Sequence, residues 1–316
     1  VAYTALGKAG LDTVKHFPPI RVFGTVGFIV AMLVTNFAGF QDNCQQLFFS
    51  GAMSIVMALY SLTMPACPTS GASKQSGLAE ALGLKAFALF KNKQMAIFFV
   101  FSMLLGVSLQ ITNGFANPFI SCFAQIKEYA DSWGANNANA LISLSQMSEA
   151  LCILLIPFFL KRYGIKTVML MAMFAWVLRF GFFGIGNPGS GVWLLILSMI
   201  VYGVAFDFFN VSGSLYVDQQ TDKDLRSSAQ GLFMLMTNGI GATIGTLSAQ
   251  AVVDHFVNSQ PQGTMAMVDG WSHAWLVFAG YALVVAVLFW IVFKNPKTPA
   301  DAEKVKRSEN NIPAAD

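Results

Sequence analysis

The sequence predicts an all-α protein that crosses a membrane several times, and two observations lead to this fold class. Of the 316 residues, 55% are hydrophobic and only 11% are Asp, Glu, Lys or Arg, whereas about 25% charged residues are usual in soluble domains. A water-exposed surface could hardly be built from so few charges. The chain also contains apolar runs of roughly 20 residues, which is the length that a helix needs to cross the hydrocarbon core of a bilayer.

Eight segments have this length and character. Helices are expected because backbone groups in lipid must be hydrogen-bonded within the segment, and the sequence lacks the short alternating strands of a β-barrel. The predicted spans are Val22–Phe40, Gln46–Pro65, Met95–Phe123, Ala138–Leu160, Thr167–Ile185, Val192–Val217, Ala229–Val253 and Trp271–Phe293.

The positions of Lys and Arg support the count of eight. Positive charges collect on the cytoplasmic side of membrane proteins. The segment before the first span, the even-numbered loops and the tail hold 17 of the 19 Lys and Arg residues, whereas the odd-numbered loops hold only Lys127. Losing or adding one span would scramble this alternation, so we expect both ends of the chain to be cytoplasmic.

The longest connection, residues 66–94, has two predicted spans before it and six after it. It starts rich in Pro, Ser and Gly and continues into a predicted amphipathic helix near Leu78–Phe90. Major facilitator transporters have two six-span halves, which a long cytoplasmic loop joins. If residues 66–94 are that loop, residues 1–65 end the N-terminal half, residues 95–294 form the C-terminal half, and residues 295–316 are a disordered cytoplasmic tail.

The chain begins with Val rather than Met. We therefore expect a major facilitator fold of which the eight helices are spans five to twelve of twelve, with the first four missing. The alternative is a complete eight-span protein with one long loop.

Several function classes find no support in the sequence. A net charge of +3 is too small to indicate a nucleic-acid partner, and the four cysteines form no CxxC pair, so we interpret them as free thiols. The glycines between 239 and 245 lie in a span with the wrong spacing for a dinucleotide loop; Gly241 and Gly245 instead predict a close helix-packing surface. The three histidines lack metal-ligand spacing, and no cofactor is predicted.

Polar side chains inside three spans are the candidate functional residues. Buried ionisable groups are costly in lipid and usually face a cavity or a partner. The candidates are Gln110 and Asn113 in the third span, Gln146 and Glu149 in the fourth, and Tyr202, Phe206, Asp207 and Asn210 in the sixth. Pairs spaced i, i+3 share one helix face. The alternative for each residue is a hydrogen bond between helices.

Three helices thus offer amides, carboxylates and aromatic rings at a similar depth. This combination suits a small polar ligand with a flat ring, because aromatic groups hold its faces while amides and acids bind its edges and hydroxyls. We hypothesise that Asp207 or Glu149, both near mid-span, couples proton entry to substrate entry. Transport that is indifferent to a pH gradient would contradict this hypothesis.

Two arginines are interpreted from their positions. Arg21 stands at the cytoplasmic start of the first span, where hydropathy alone favours a positive-inside anchor, although Thr25 and Phe28 follow it on the same face. Arg179 lies within the fifth span and either extends to the interface or pairs with an acid on a neighbouring helix. We assign it no ligand role.

These residues and their surroundings resemble the bacterial nucleoside permeases, the nucleoside:proton symporters of the major facilitator superfamily. The resemblance runs from about Ala9 to Lys294 and is most specific in FPPIRVFGTVGF (17–28), LQITN (109–113), SQMSE (145–149) and MIVYGVAFDFFN (199–210). It implies twelve spans in the family and proton-driven uptake of purine and pyrimidine nucleosides across the cytoplasmic membrane by alternating access.

The resemblance also implies a substrate site and reverses the interpretation of Arg21 as an anchor. The implied site consists of Arg21, Thr25, Phe28, Gln110, Asn113, Gln146, Glu149, Tyr202, Phe206 and Asp207. In this picture the amides and carboxylates hold the ribose hydroxyls and the base edge, while Phe28 and Phe206 pack on the base. The expected partners are nucleosides such as uridine and adenosine, protons and the lipid bilayer, and we expect a monomer.

Three other functions stay open at this point. The same fold could carry a sugar or a xanthosine-like compound, which competition uptake assays would separate. A membrane enzyme would need a nucleophile–base pair or a metal cluster near a membrane face, and the sequence shows neither. A receptor that does not transport would bind ligand without uptake.

Overall fold

The computed structural model describes residues 6, 9–10, 13–40, 43–64, 84–222 and 225–294, and gives only the backbone for residues 13–21 and 84. All regular elements in these ranges are helical. The α-helices are α1 (Thr13–Phe37), α2 (Gln45–Ser61), α3 (Lys93–Cys122), α4 (Trp133–Asn136), α5 (Ala138–Ile185), α6 (Val192–Gln220), α7 (Arg226–Met234), α8 (Ala242–Val253) and α9 (Met265–Val292). Two 3₁₀ helices (Leu84–Lys91 and Phe123–Gln125) and two π-helical segments (Leu235–Gly241 and Asp254–Asn258) complete the set.

Five helical runs among the described residues are long and apolar enough to cross a membrane, which agrees with the predicted fold class. They are Lys93–Gln125, Ala138–Ile185, Val192–Gln220, Arg226–Asn258 and Met265–Val292, and Val22–Phe37 is a shorter apolar helix. The π-helical segment Leu235–Gly241 lies within the predicted seventh span, and Asp254–Asn258 continues that span to the end of the run Arg226–Asn258.

One of these runs contains two of the predicted spans. A straight helix of 48 residues would measure roughly 70 Å, more than twice the thickness of a bilayer core. The run α5 breaks at Gly164, whose φ of 76° and ψ of 168° are not helical. Glycine adopts positive φ without the steric cost that a Cβ brings. The predicted loop between the fourth and fifth spans is therefore a break at this glycine.

The two arms of α5 fold back on each other. Ser145 lies in the first arm (138–163) and Arg179 in the second arm (165–185), 34 residues apart in sequence. Their side chains are nevertheless in hydrogen-bonding contact, with 3.4 Å between Nη1 of Arg179 and Oγ of Ser145. A long-range contact across the break requires the arms to run side by side.

Small residues allow close packing between α3 and the run that contains α8. A Cβ added to Gly241 would lie 2.5 Å from the carbonyl oxygen of Met103, and one added to Gly245 would lie 2.9 Å from the Cα of Val107. These are distances at which a side chain overlaps backbone. The predicted helix-packing surface at Gly241 and Gly245 is thus confirmed.

Aromatic rings fill much of the interior, and large apolar side chains also cover outward faces. Phe119 packs edge-on against Trp275, with ring centroids 5.5 Å apart, and both are buried. By contrast, Leu151 and Ile291 are 64% and 68% exposed. An apolar exterior of this extent is unusual for a soluble monomer and suits a bilayer.

Two further predictions fall partly outside the described residues. Of the predicted amphipathic helix near Leu78–Phe90, only the part from residue 84 is described, and it forms a 3₁₀ helix. Cys44, Cys122 and Cys152 are free thiols, whereas Cys67 and the predicted tail at 295–316 lie outside the description.

Candidate functional site

A cavity of about 590 Å³ opens between α1, α3, α5 and α6. Small-molecule sites usually measure roughly 300–1,000 Å³, so the volume is sufficient for a compact ligand. The cavity is lined by Gly24, Thr25, Phe28, Met32, Thr112, Asn113, Ala116, Asn117, Asn139, Ile142, Ser145, Gln146, Glu149, Arg179 and Tyr202. Amides, hydroxyls, one carboxyl group and one guanidinium therefore share a single space.

Six of the ten predicted site residues line this cavity, and they come from four helices. They are Thr25, Phe28, Asn113, Gln146, Glu149 and Tyr202. Of Arg21 the structure describes the backbone in α1 but not the side chain. The other three predicted residues, Gln110, Phe206 and Asp207, do not line this cavity.

Phe206 contacts Tyr202 instead of lining the cavity. Their rings stack with centroids 5.9 Å apart and planes 9° from parallel. Phe206 and Asn210 line a separate cavity of about 30 Å³, which has room for a water molecule or two but not for a substrate. Phe206 thus packs against the ring of Tyr202, which lines the main cavity.

Gln110 and Asn113 were predicted to share a helix face, but of the two only Asn113 lines the cavity. The Cβ of Gln110 lies 3.1 Å from the position that a Cβ on Gly245 would take, so Gln110 packs toward α8. Residues three apart on a helix differ in direction by roughly 60°, and this offset separates a cavity wall from a helix contact.

The two acids predicted to couple protons occupy different environments. Glu149 is half-buried and lines the cavity. Asp207 is completely buried in α6 and is not part of the cavity wall. Both carboxyl groups are close enough to Tyr202 to interact with it electrostatically. Tyr202 is therefore close both to an acid that lines the cavity and to an enclosed one.

Arg179, for which we predicted no ligand role, lies in the cavity wall. It is 1% exposed. Its Nε donates to Oγ1 of Thr112 (3.2 Å), and its Nη1 donates to the carbonyl oxygen of Ser198 (2.7 Å). The guanidinium carbon also lies 4.5 Å from the ring centroid of Tyr202. A single charge inside a predicted span is a functional signal in itself, and it could have identified this residue.

Two asparagines missing from the prediction form part of the wall. Nδ2 of Asn117 in α3 donates to Oδ1 of Asn139 in α5 over 2.5 Å. Asn117 follows the predicted Asn113 by four residues and thus lies on the same helix face. This spacing was visible in the sequence, whereas the contact with Asn139 was not.

The end of α1 reaches the start of α5 near this amide pair. Nδ2 of Asn36 donates to Oδ1 of Asn137 (2.8 Å), and the backbone N–H of Ala140 donates to Oδ1 of Asn36 (3.3 Å). Asn137 precedes the first residue of α5, and its own side chain caps no backbone group of that helix. A side chain from α1 therefore accepts one of the first N–H groups of α5, which a helix cannot satisfy internally.

Comparisons with known proteins agree on one family. The family model described as Nucleoside H+ symporter matches residues 1–298. The chain is 52% identical over 307 residues to the xanthosine permease of Escherichia coli (strain K12), covering 97% of the chain and 71% of that protein. It is 47% identical over 295 residues to the nucleoside permease NupG of the same organism, covering 93% of the chain and 69% of NupG.

The fold is similar to that of a solved transporter. The crystal structure of an Asp-to-Ala mutant of the nucleoside transporter NupG matches with a TM-score of 0.84 and 47% sequence identity. The match covers 93% of this chain and 72% of that chain.

Proposed function

Because the chain belongs to the nucleoside H+ symporter family, we propose that the cavity between α1, α3, α5 and α6 is the place where it binds a nucleoside. The chain is a proton-coupled nucleoside transporter and not an enzyme. The observation that carries the proposal is that six residues predicted from the sequence, on four helices, line one cavity of about 590 Å³.

The chemistry of the wall fits the two parts of a nucleoside. A nucleobase has flat faces and a polar edge, and aromatic side chains pack well on such faces. Phe28 and Tyr202 supply rings, while Asn113, Gln146 and Glu149 supply donors and acceptors for the base edge and the ribose hydroxyls. Phe206 acts through Tyr202.

The remaining predicted residues keep a place in the proposal. Arg21 and Gln110 are retained as substrate-binding residues on the strength of the resemblance. Glu149, which lines the cavity, and Asp207, which is enclosed behind it, are proposed to bind and release the transported proton. Intramembrane acids commonly serve as proton relays in transporters.

For the membrane arrangement we propose eight spans, equivalent to spans five to twelve of twelve. The break at Gly164 supports counting α5 as two spans. Residues 1–65 then end the N-terminal half, residues 66–94 are the central cytoplasmic loop, residues 95–294 form the C-terminal half, and residues 295–316 are a cytoplasmic tail. The protein lies as a monomer in the bacterial cytoplasmic membrane with both ends of this chain in the cytoplasm, which agrees with the distribution of Lys and Arg.

Xanthosine is the second candidate cargo. The xanthosine permease shares 52% of its aligned residues with this chain, against 47% for NupG. Xanthosine is a nucleoside, as uridine and adenosine are, and all three need the same kind of cavity. Competition uptake assays therefore decide which of them the protein prefers.

The test is uptake of labelled uridine, adenosine and xanthosine by cells that produce the protein, with and without a proton uncoupler. We expect saturable uptake that the uncoupler abolishes. Glu149→Gln and Asp207→Asn are measured in parallel, at equal amounts of protein in the membrane. Uptake that ignores the uncoupler would refute symport, and uncoupler-sensitive uptake that survives in both variants would remove these acids from the mechanism.

A further inference from the structure

Arg179 connects three helices at the wall of the cavity. Its guanidinium donates to Thr112 of α3, to Ser145 of the first arm of α5 and to the backbone carbonyl of Ser198 of α6. These partners are two hydroxyls and a carbonyl, all neutral. A permanently charged side chain that is only 1% exposed and has neutral partners is costly in a membrane protein. We therefore expect Arg179 to have a role that a neutral residue could not fill.

The same guanidinium fixes the ring of Tyr202. It lies 4.5 Å from the ring centroid, while Phe206 stacks 5.9 Å away and Trp176 meets the ring at 88° from 5.9 Å. Tyr202 is consequently held by three neighbours and is 5% exposed. A cation over an aromatic face is favourable when both are desolvated, and the planar guanidinium of Arg makes this contact in a way that Lys does not reproduce.

We propose that Arg179 is a positioning residue of the nucleoside site, which orients Tyr202, Thr112 and Ser145 toward the bound nucleoside. This inference rests on the proposed function of the cavity. All three of these residues line the cavity. Without Arg179 the ring of Tyr202 would lose one of its three neighbours, and the two hydroxyls would lose their common partner. The substrate would then meet a disordered wall and bind less tightly.

A purely structural clamp would give a different result. If Arg179 only held helices together, its loss would lower the amount of folded transporter and the maximal rate, while the surviving molecules would bind nucleoside normally. A positioning residue changes KM for nucleoside, because ordering of the wall contributes to binding before transport begins. The two roles are therefore separated by a KM-against-Vmax comparison at equal protein amounts.

The experiment compares Arg179→Lys and Arg179→Gln with a matched surface control. Arg162 also lies over a tyrosine ring, 5.5 Å from the centroid of Tyr163, but both residues are exposed. We expect Arg179→Lys to raise KM for labelled uridine at least tenfold with Vmax per transporter within twofold of the original. Arg179→Gln should raise KM at least as much, and Arg162→Lys should leave it unchanged.

A variant outside the cavity keeps the proposal testable if both Arg179 variants fail to fold. The ring of Phe183 lies 5.0 Å from the guanidinium carbon of Arg179, and Phe183 does not line the cavity. Phe183→Leu should raise KM several-fold by loosening Arg179. An unchanged KM in Phe183→Leu, or Arg179→Lys with parallel loss of Vmax and protein at constant KM, would overturn the proposal. If the unmodified protein shows no saturable nucleoside uptake, the proposed function itself fails.

Discussion

Asn36 in α1 donates its side-chain amide to Oδ1 of Asn137 over 2.8 Å, although the two residues are 101 positions apart in sequence. Oδ1 of Asn36 in turn accepts the backbone N–H of Ala140 in the first turn of α5. In the proposed arrangement α1 belongs to the N-terminal half and α5 to the C-terminal half. These hydrogen bonds then join the two halves at the end of α1 that lies away from Arg21.

The first prediction concerns this contact. We expect Asn36→Cys combined with Asn137→Cys to form a disulfide under oxidation and to stop nucleoside uptake, because alternating access requires the halves to separate at each end in turn. Reduction should restore uptake. Uptake is measured beside a gel assay of the cross-link, with Asn36→Cys alone as control. Full uptake by the cross-linked protein would show that this end does not open during transport.

The second prediction separates the two acids. Glu149→Gln should weaken equilibrium binding of nucleoside at least tenfold, because Glu149 lines the cavity. Asp207→Asn should bind nucleoside within threefold of the original but lose uncoupler-sensitive accumulation, because Asp207 is enclosed outside the cavity wall. Binding to purified protein and uptake into cells are measured for both variants. Equal loss of binding in the two variants would contradict distinct roles.

The third prediction concerns helix packing. Gly245→Val should destabilise the protein by about 1–3 kcal/mol, because its Cβ would meet the backbone of Val107 at 2.9 Å. Gly280→Val in α9 is the matched control, since a Cβ there meets nothing within 4 Å. The measurement is the thermal unfolding temperature in detergent. A midpoint for Gly245→Val equal to that of Gly280→Val would show that the α3 contact yields without cost.

The fourth prediction concerns the break in α5. Gly164→Ala should lower stability by roughly 1–2 kcal/mol, because the residue must keep a φ of 76° that a Cβ disfavours. Its surroundings leave room for a methyl group, so the cost is conformational. Gly181→Ala, in the helical second arm and equally uncrowded, should be neutral or stabilising by up to about 1 kcal/mol. The same unfolding assay tests both, and a stabilised Gly164→Ala would contradict the assigned backbone.

The helices and much of the site could be predicted because they depend on local pattern. The length of the apolar segments identified the helical runs that are long enough to cross a membrane. Polar residues near the middle of the predicted spans, such as Asn113 and Glu149, pointed to the cavity. The direction of Gln110 could not be predicted, because a rotation of roughly 60° along one helix decides whether a side chain faces a cavity or a neighbour. Periodicity alone does not fix which neighbour stands there.

Contacts between residues that are far apart in the sequence could not be predicted, for a different reason. The partners of Arg179 lie 67, 34 and 19 residues away, and each belongs to a different part of the fold. Hydropathy indicates that such a charge needs partners but not which hydroxyl or carbonyl supplies them. The Asn36–Asn137 pair was hidden in the same way, because both residues look like ordinary polar ends of helices.

The helix α1 contributes both to the cavity and to a contact with the start of α5. Thr25 borders the cavity, and Asn36, eleven residues later and roughly 16 Å further along the axis, fastens the neighbouring helix. Because both residues belong to one helix, a bound nucleoside that shifts Thr25 would also shift Asn36. With the two sites coupled in this way, thermodynamic reciprocity requires that loss of the Asn36–Asn137 hydrogen bond change the affinity for nucleoside by the same factor. In the proposed site, nucleoside binding and breaking of the Asn36–Asn137 hydrogen bond would then both depend on the tilt of α1.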